Sequence, residues 1–476
     1  MKFKLENDIA SFIIDVKKKM MLKKLIFINP WIYDFAAHDF WAKPMGLLYL
    51  ASYFGKVGYD VRLIDCLDVN NPYMKASSLR RPKRKEYGTG KFWKQRIKLP
   101  PSLSHIKRPF NRYGITPDVL RKELTYAGRP SAFLVTSAMT YWYLGVKDTI
   151  KVIKELYPDV PVILGGIYAR LCPEHAKRES GADVVLTESE PSRVLECLIR
   201  LGIAPRKELK FDPSVMYPGF ELYKKLNYVC IMTSKGCPYR CKYCASPFLS
   251  PDFCQRDPQD VFEELCYWRR RFGVTDFAFY DDALLVSSKS HLLPVLEMVV
   301  KKGLDLRFHT PNAIHITGID REVAEIMYRS GFKTIRLGLE SSNIQLHRNL
   351  DKKLSSLDQV EKAVSYLFKA GFRSEQIGAY ILIGLPNQDV KEVIETIRFV
   401  EKLKILPFLA EYSPIPNTEL WDEAVKVSEL DIASEPLYHN NILIPCWDED
   451  KKKHLPFLRK MVLEIRDKLK RSGGKV

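Results

Sequence analysis

No stretch of the 476-residue sequence approaches the roughly 18 uninterrupted apolar residues of a membrane-spanning helix, so no such span is expected. Cysteine is scarce, with 10 residues in the chain. No paired spacing links Cys66, Cys172, Cys197, Cys230, Cys254, Cys266 and Cys446, which are read as small buried residues. No secretory signal is expected, and with so little cysteine a secreted disulfide framework is not expected either. The expectation is a cytoplasmic protein. Acidic residues nearly vanish between positions 72 and 113, where thirteen Lys and Arg face the single Glu86. That local excess of twelve is two-thirds of the formal net charge of +18. Prolines at 72, 82, 100, 101 and 109 break the segment, and Phe92, Trp93 and Phe110 punctuate it. It reads as a basic insertion. One reading is an arm over an anionic ligand such as a cofactor phosphate, an acidic substrate or a lipid surface; the other is a solvated loop packed on its own aromatics. Nucleic acid is not the expected partner.

What is present is alternation. Residues 1–20 form an extension with a weakly amphipathic stretch over 9–19, and Met21 is an alternative start. Over 21–205, apolar runs predict strands at 23–30, 60–65, 132–136, 160–166 and 183–187. Helices are predicted between and after them at 44–58, 146–156, 173–180 and 192–201. Strand and helix in turn make a doubly wound parallel sheet, whose ligands lie beyond the carboxyl ends of its strands. A proline-bearing linker over 206–227 follows. Over 228–422, six strands (228–233, 276–280, 306–310, 334–339, 377–383 and 408–412) alternate with helices and predict a partial (β/α)6 barrel of the TIM type, with its functional groups at the carboxyl ends. In the last segment, 423–476, Leu455, Leu458, Val462, Ile465 and Leu469 recur at helical spacing, predicting a helix across the barrel mouth. The fold class is α/β throughout, with a helical C-terminal segment.

The most specific motif is Cys237-Pro238-Tyr239-Arg240-Cys241-Lys242-Tyr243-Cys244, a C-x3-C-x2-C run. Three thiolates on one loop suit three irons of a four-iron, four-sulfur (4Fe-4S) cluster and leave the fourth iron open for chemistry. A zinc site would want a fourth ligand from a nearby pair, and neither Cys254 nor Cys266 makes one. The loop, with Tyr243 before its third cysteine, resembles that of the radical S-adenosylmethionine (SAM) superfamily. The resemblance implies that Cys237, Cys241 and Cys244 hold the cluster. It also implies that SAM chelates the open iron and that electron transfer cleaves it to a 5′-deoxyadenosyl radical. Such a cluster is oxygen-labile, which points to an anaerobic setting and to an electron donor such as flavodoxin or ferredoxin.

The same resemblance assigns further positions. Tyr280, Asp281 and Asp282 fill the slot that binds the methionyl amino group, Glu340 in Gly338-Leu339-Glu340-Ser341 meets the ribose, and Gly384 approaches the adenine. The proline-rich Ser413-Pro414-Ile415-Pro416-Asn417 lies near adenine or substrate, or is a rigid turn. Arg336 is read as a structural partner of Asp281, with the SAM carboxylate as the alternative. His309, Asn312 and His315 are the candidates for touching an organic substrate. Residues 21–205 resemble the cobalamin-binding domain found upstream of many radical SAM domains. That likeness rests on Lys43-Pro44-Met45-Gly46-Leu47, Gly58-Tyr59-Asp60-Val61, Leu164-Gly165-Gly166 and Glu188-Ser189-Glu190. It implies cobalamin near Ser137, Gly165, Gly166 and Glu188. The D-x-H-x-x-G motif that gives a histidine to cobalt is absent, and His38 has the wrong spacing to replace it. The function implied is a radical SAM methyltransferase acting on an unactivated carbon. The alternatives are a non-methylating radical SAM enzyme (oxidation, cyclisation, ring contraction or carbon–carbon coupling) and a zinc-stabilised basic binding protein.

Overall fold

The computed structural model describes residues 22–205, 216–351 and 353–472. The extension 1–20, the alternative start at Met21 and the linker positions 206–215 lie outside the described residues.

The first half is a five-stranded parallel sheet of β1 (Lys24–Asn29), β2 (Asp60–Asp65), β3 (Ala132–Val135), β4 (Val162–Leu164) and β5 (Val184–Val185), in the spatial order β5-β4-β3-β1-β2. Leu25, Ile26, Phe27 and Ile28 of β1 are all fully buried, because helices cover both faces of the sheet. The strand order reverses direction between β1 and β3. That is the switch point at whose carboxyl side open α/β sheets form a crevice.

The insertion is folded rather than looped. Phe110–Tyr113 pairs antiparallel with both Ile32–Asp34 and Lys94–Ile97, and Gly90–Lys91 pairs with His38–Asp39. Phe92, Trp93, Phe110 and Tyr113 are buried beneath this ribbon. Arg84 pairs with Asp39 and Arg112 lies over Trp31. The other eleven cations are exposed and make no ion pair with any described residue.

The second half is a six-stranded parallel sheet in sequential order: β6 (Val229–Ile231), β7 (Asp276–Phe279), β8 (Arg307–His309), β9 (Phe332–Glu340), β10 (Ile377–Ile383) and β11 (Leu406–Glu411). Asp257, Asp320 and Asp389 start three of its helices by accepting hydrogen bonds from the backbone N–H of Gln259, Val323 and Lys391.

The C-terminal helix departs from expectation. Leu455–Ser472 lies along β11 instead of across the mouth, with Leu458, Val462, Ile465 and Leu469 buried in the barrel core and Arg459 bonded to Glu411. An edge strand with unpaired backbone groups is thereby covered. The mouth is strapped by residues 430–447. His439 meets Thr140 at 2.8 Å, Asn440 donates to Asp34 at 2.9 Å, and Ser413 donates to the His439 carbonyl at 2.5 Å. The strap thus binds both halves. No helix among the described residues is long and apolar enough to cross a membrane.

Candidate active site

The cluster loop starts where β6 ends, and a buried carboxylate fixes that start. Asp281, just past β7, accepts from Thr233 N–H at 3.0 Å, Thr233 Oγ1 at 2.7 Å and Ser234 Oγ at 2.6 Å. Burial pushes the Asp281 carboxyl up, and these donors pull it back toward the ionised form. Its neighbour Asp282 is exposed and accepts one bond, from Ser246 Oγ at 2.8 Å. The two acids therefore do different work: Asp281 fastens the loop, and Asp282 faces solvent beside Cys237. Tyr280 turns away from this rim and donates to the Trp41 carbonyl.

Cys237, Cys241 and Cys244 are free thiols on the loop. Ser246 N–H points at Cys244 Sγ, 3.4 Å away, and the Lys353 charge favours the Cys241 thiolate. N–H groups and a cation aimed at sulfur suit thiolate ligands. A zinc site draws its ligands around one ion, whereas a cubane cluster takes its thiolates at separate irons. Among the described residues no three His, Cys, Asp or Glu side chains are gathered closely enough for a single ion. Of the remaining cysteines, Cys66, Cys230, Cys266 and Cys446 are buried as expected, and Cys172 and Cys197 are half-buried. Cys254 corrects the expectation. It is exposed, because it pairs with Lys235 on a two-stranded ribbon at the surface.

Glu340 ends β9 in the left-handed region, at φ 58°, where the pairing with β10 shifts register. Its Oε1 accepts from Tyr243 Oη at 3.1 Å and lies 3.6 Å from Lys353 Nζ. Lys353 also donates to Tyr243 Oη at 3.2 Å and sits 3.8 Å from Asp351, which His347 holds at 3.1 Å. Nothing in the pattern of Asp351-Lys352-Lys353 singles out the second lysine, which reads as one more surface charge. At the end of β10, the Gly384 N–H donates to Gln388 Oε1 at 2.9 Å.

The substrate candidates separate. His309 is fully buried, its ring stacked on Trp41 and beside Tyr87, with Nε2 3.1 Å from Asp276 and Nδ1 3.0 Å from Thr334. Neither ring nitrogen is free for a substrate. Strand alternation turns this side chain into a plugged part of the barrel interior. Asn312 is exposed at the rim and donates to the Tyr280 carbonyl at 3.0 Å. His315 packs edge-on against Tyr239 of the cluster loop, centroids 4.2 Å apart, and its buried Nδ1 has no partner. Burial, with Lys353 adding to it, pushes its pKa down to about 4. Arg336 does not meet Asp281. It lies over Phe408, 4.5 Å from the centroid, and donates to the Ile335 carbonyl at 2.8 Å.

At the carboxyl ends of the first sheet, Ser137 donates to the Gly165 carbonyl at 2.6 Å. Gly166 holds φ 93°, and a Cβ there would stand 2.3 Å from the Ser137 carbonyl oxygen. A Cβ on Gly165 would meet nothing within 4 Å, so the space above that backbone is open. Glu188 is exposed beyond β5. His38 stays on the insertion ribbon, where burial, Lys85, Lys91 and Lys94 hold its pKa down. The cluster loop abuts these strand ends. Arg170, on the helix Ile167–Leu171 after β4, donates to the Leu249 carbonyl at 2.8 Å in the short helix after the third cysteine. Near this junction Met139, Ile167 and Phe248 are 46%, 39% and 44% exposed.

The carboxyl ends of the doubly wound sheet thus adjoin the carboxyl ends of the partial barrel, with three thiols between. Residues 231–400 match the Radical SAM superfamily, so the chain carries a radical SAM domain that includes all three loop cysteines. An uncharacterised methyltransferase of Pyrococcus horikoshii is 26% identical over 326 residues, covering 61% of this chain and 68% of that one. The bacteriochlorophyllide d C-12(1)-methyltransferase of Chlorobaculum tepidum is 27% identical over 234 residues, 48% of this chain and 49% of that one. The anaerobic magnesium-protoporphyrin IX monomethyl ester cyclase of Cereibacter sphaeroides is 24% identical over 328 residues, 61% and 52% of the two chains. The chain spans about half the length of these last two relatives. In fold, the chain is similar to the radical SAM methyltransferase TsrM of Kitasatospora setae, with a TM-score of 0.63 at 15% identity over 93% of this chain and 89% of that one. Structures of TsrM hold tryptophan with a SAM analogue, or cobalamin with a 4Fe-4S cluster.

Proposed function

We propose that the protein is a cobalamin-dependent radical SAM methyltransferase that methylates an unactivated carbon of an organic substrate. The observation that carries this reading is the junction at Arg170 and Leu249, which brings the ligand-binding ends of the sheet and of the barrel together. TsrM, which shares the fold, holds both cofactors. When bound, the cluster supplies the electron that cleaves SAM, and cobalamin supplies the methyl group.

The chain's own residues bind and orient. Cys237, Cys241 and Cys244 hold the cluster, and Asp281 holds the loop that presents them. Asp282 takes the methionyl ammonium as a charge-assisted partner. Glu340, propped by Tyr243, accepts from the ribose hydroxyls. Gly384 and the loop after β11 border the adenine. The open backbone at Gly165, with Ser137, Gly166 and Glu188 around it, would seat cobalamin, and the exposed Met139, Ile167 and Phe248 would give that seat apolar surface. His38 takes no part in that seat. Asn312 and His315 flank the substrate, and the strap over residues 430–447 keeps water from the mouth. Flavodoxin or ferredoxin delivers the electron, and the eleven unpaired cations of the insertion face an anionic ligand.

Anaerobic purification with cobalamin supplied, followed by iron, sulfide and cobalamin analysis and a SAM-cleavage assay, tests this. All three components with SAM cleavage and a methylated product support it. SAM cleavage without cobalamin replaces it with the non-methylating reading, which the cyclase relative favours. Protein that takes up zinc and no iron overturns both.

A further inference from the structure

Lys353 is a nearly buried cation, its side chain 11% exposed, in a nest of anionic and sulfur groups. It donates to Tyr243 Oη at 3.2 Å, and stands 3.6 Å from Glu340 Oε1 and 3.8 Å from Asp351 Oδ2. Asp351 is fixed in turn. Its Oδ1 accepts from the Lys353 backbone N–H at 3.0 Å and meets His347 Nδ1 at 3.1 Å, while His347 Nε2 donates to the Ser341 carbonyl at 2.8 Å. The lysine therefore has one position, set by the end of β9 on one side and by the cluster loop on the other. Two carboxylates within 4 Å and a phenol oxygen acceptor at 3.2 Å are the surroundings of an ammonium.

We propose that Lys353 is a positioning residue whose charge raises the reduction potential of the cluster at Cys237, Cys241 and Cys244 and ties that cluster to Glu340. The inference rests on the cluster reading above. Reducing a cluster adds one negative charge to it. A fixed ammonium against one of its thiolates, in a medium of low dielectric constant, favours the reduced form more than the oxidised one. Two carboxylates offset part of that field, and the 3.2 Å bond to Tyr243, which lies between Cys241 and Cys244, holds the cation against the cluster loop.

The test compares wild type, Lys353→Met, Lys353→Gln and Lys353→Arg after anaerobic reconstitution, by iron and sulfide content and by a potentiometric titration followed by electron paramagnetic resonance. Wild type without a cluster sinks the underlying reading and is recognised from the iron content alone. With clusters assembled, the neutral variants should show at least a tenfold lower ratio of reduced to oxidised cluster at a fixed potential, which is 59 mV for a one-electron couple. Lys353→Arg should stay near wild type. A neutral variant with full iron and an unshifted midpoint overturns the proposal. If neither neutral variant assembles a cluster while Lys353→Arg does, the lysine serves to retain the cluster and the proposal about its potential is overturned. Failure of all three variants to assemble one assigns Lys353 to the fold and overturns it.

Discussion

Trp41, from the loop that follows β1, stacks on His309 of β8, with ring centroids 4.5 Å apart and planes 20° apart. Its carbonyl oxygen accepts from Tyr280 Oη and from Cys230 Sγ, the latter at 2.9 Å. Trp41 belongs to the first domain, yet its ring and backbone fill the interior of the second. The two halves share one apolar core there, with Trp41, Met45 and Leu48 packed among barrel residues. This plug joins the strap and the Arg170–Leu249 bond in fixing how the sheet faces the barrel.

Trp41→Ala should remove that plug at a cost of about 3–5 kcal/mol, the range for truncating a buried tryptophan. Differential scanning calorimetry should show the single transition of wild type drop in temperature and split as the halves uncouple. A variant that unfolds like wild type would show that Trp41 does not couple the halves.

Asp281 and Asp282 should respond oppositely to amidation. Asp281→Asn leaves Thr233 N–H without its ionised acceptor and should cost about 2 kcal/mol, read as a lower unfolding midpoint and poor cluster retention. Asp282→Asn should keep stability and iron content and weaken SAM binding roughly tenfold in equilibrium dialysis. Equal SAM affinity in Asp282→Asn and wild type would remove Asp282 from the site.

These two acids also show how far the sequence carries. The motif Asp281-Asp282 marks a strand end, and the alternation of strands and helices announces both parallel sheets, because burial on two faces leaves continuous apolar runs such as Leu25 to Ile28. Which acid is buried is a matter of tertiary packing against Thr233, and spacing carries no trace of it. The insertion hid its strands for a similar reason. Lys94 to Ile97 is an exposed ribbon edge, rich in cations, so it lacks the apolar alternation that marks a half-buried strand. His309 carried polar character into a position that its neighbours then sealed. Lys353 sits in no motif, and only the fold brings Tyr243 and Glu340 to it.

Stability should fall in mild acid, and His439 is one source. Its Nε2 donates to the Ile432 carbonyl at 2.7 Å and its Nδ1 meets Thr140, an arrangement that suits the neutral ring, and burial pushes its pKa down to about 4. An unfolded histidine protonates near 6.5. Between those values the unfolded chain takes a proton that the folded one refuses. The contribution is complete above about pH 6.5 and is lost as pH falls toward 4, at up to about 1.4 kcal/mol per pH unit. His175, also pushed down to about 4 mainly by burial, acts in the same direction. Unfolding midpoints at pH 7 and pH 5 should differ less in His439→Gln than in wild type. An identical pH dependence would assign the effect to other groups.

The adjacent glycines at the end of β4 make a matched pair. Gly166→Ala sets a Cβ against Ser137 in a backbone region closed to side chains, and should cost about 2 kcal/mol and lower the folded yield. Gly165→Leu points into open space and should fold normally while losing most of its bound cobalamin, measured by absorbance after anaerobic loading. Full cobalamin content in Gly165→Leu would move the seat elsewhere.

The central claim is an iron left open by three cysteines for SAM to bind, and the electron paramagnetic resonance spectrum of the dithionite-reduced protein reads it directly. The account predicts a 4Fe-4S signal in wild type that changes its g-values when SAM is added, and no such signal in the Cys237→Ala/Cys241→Ala/Cys244→Ala variant. A cluster signal that SAM leaves unchanged, or one that survives in the triple variant, would contradict it.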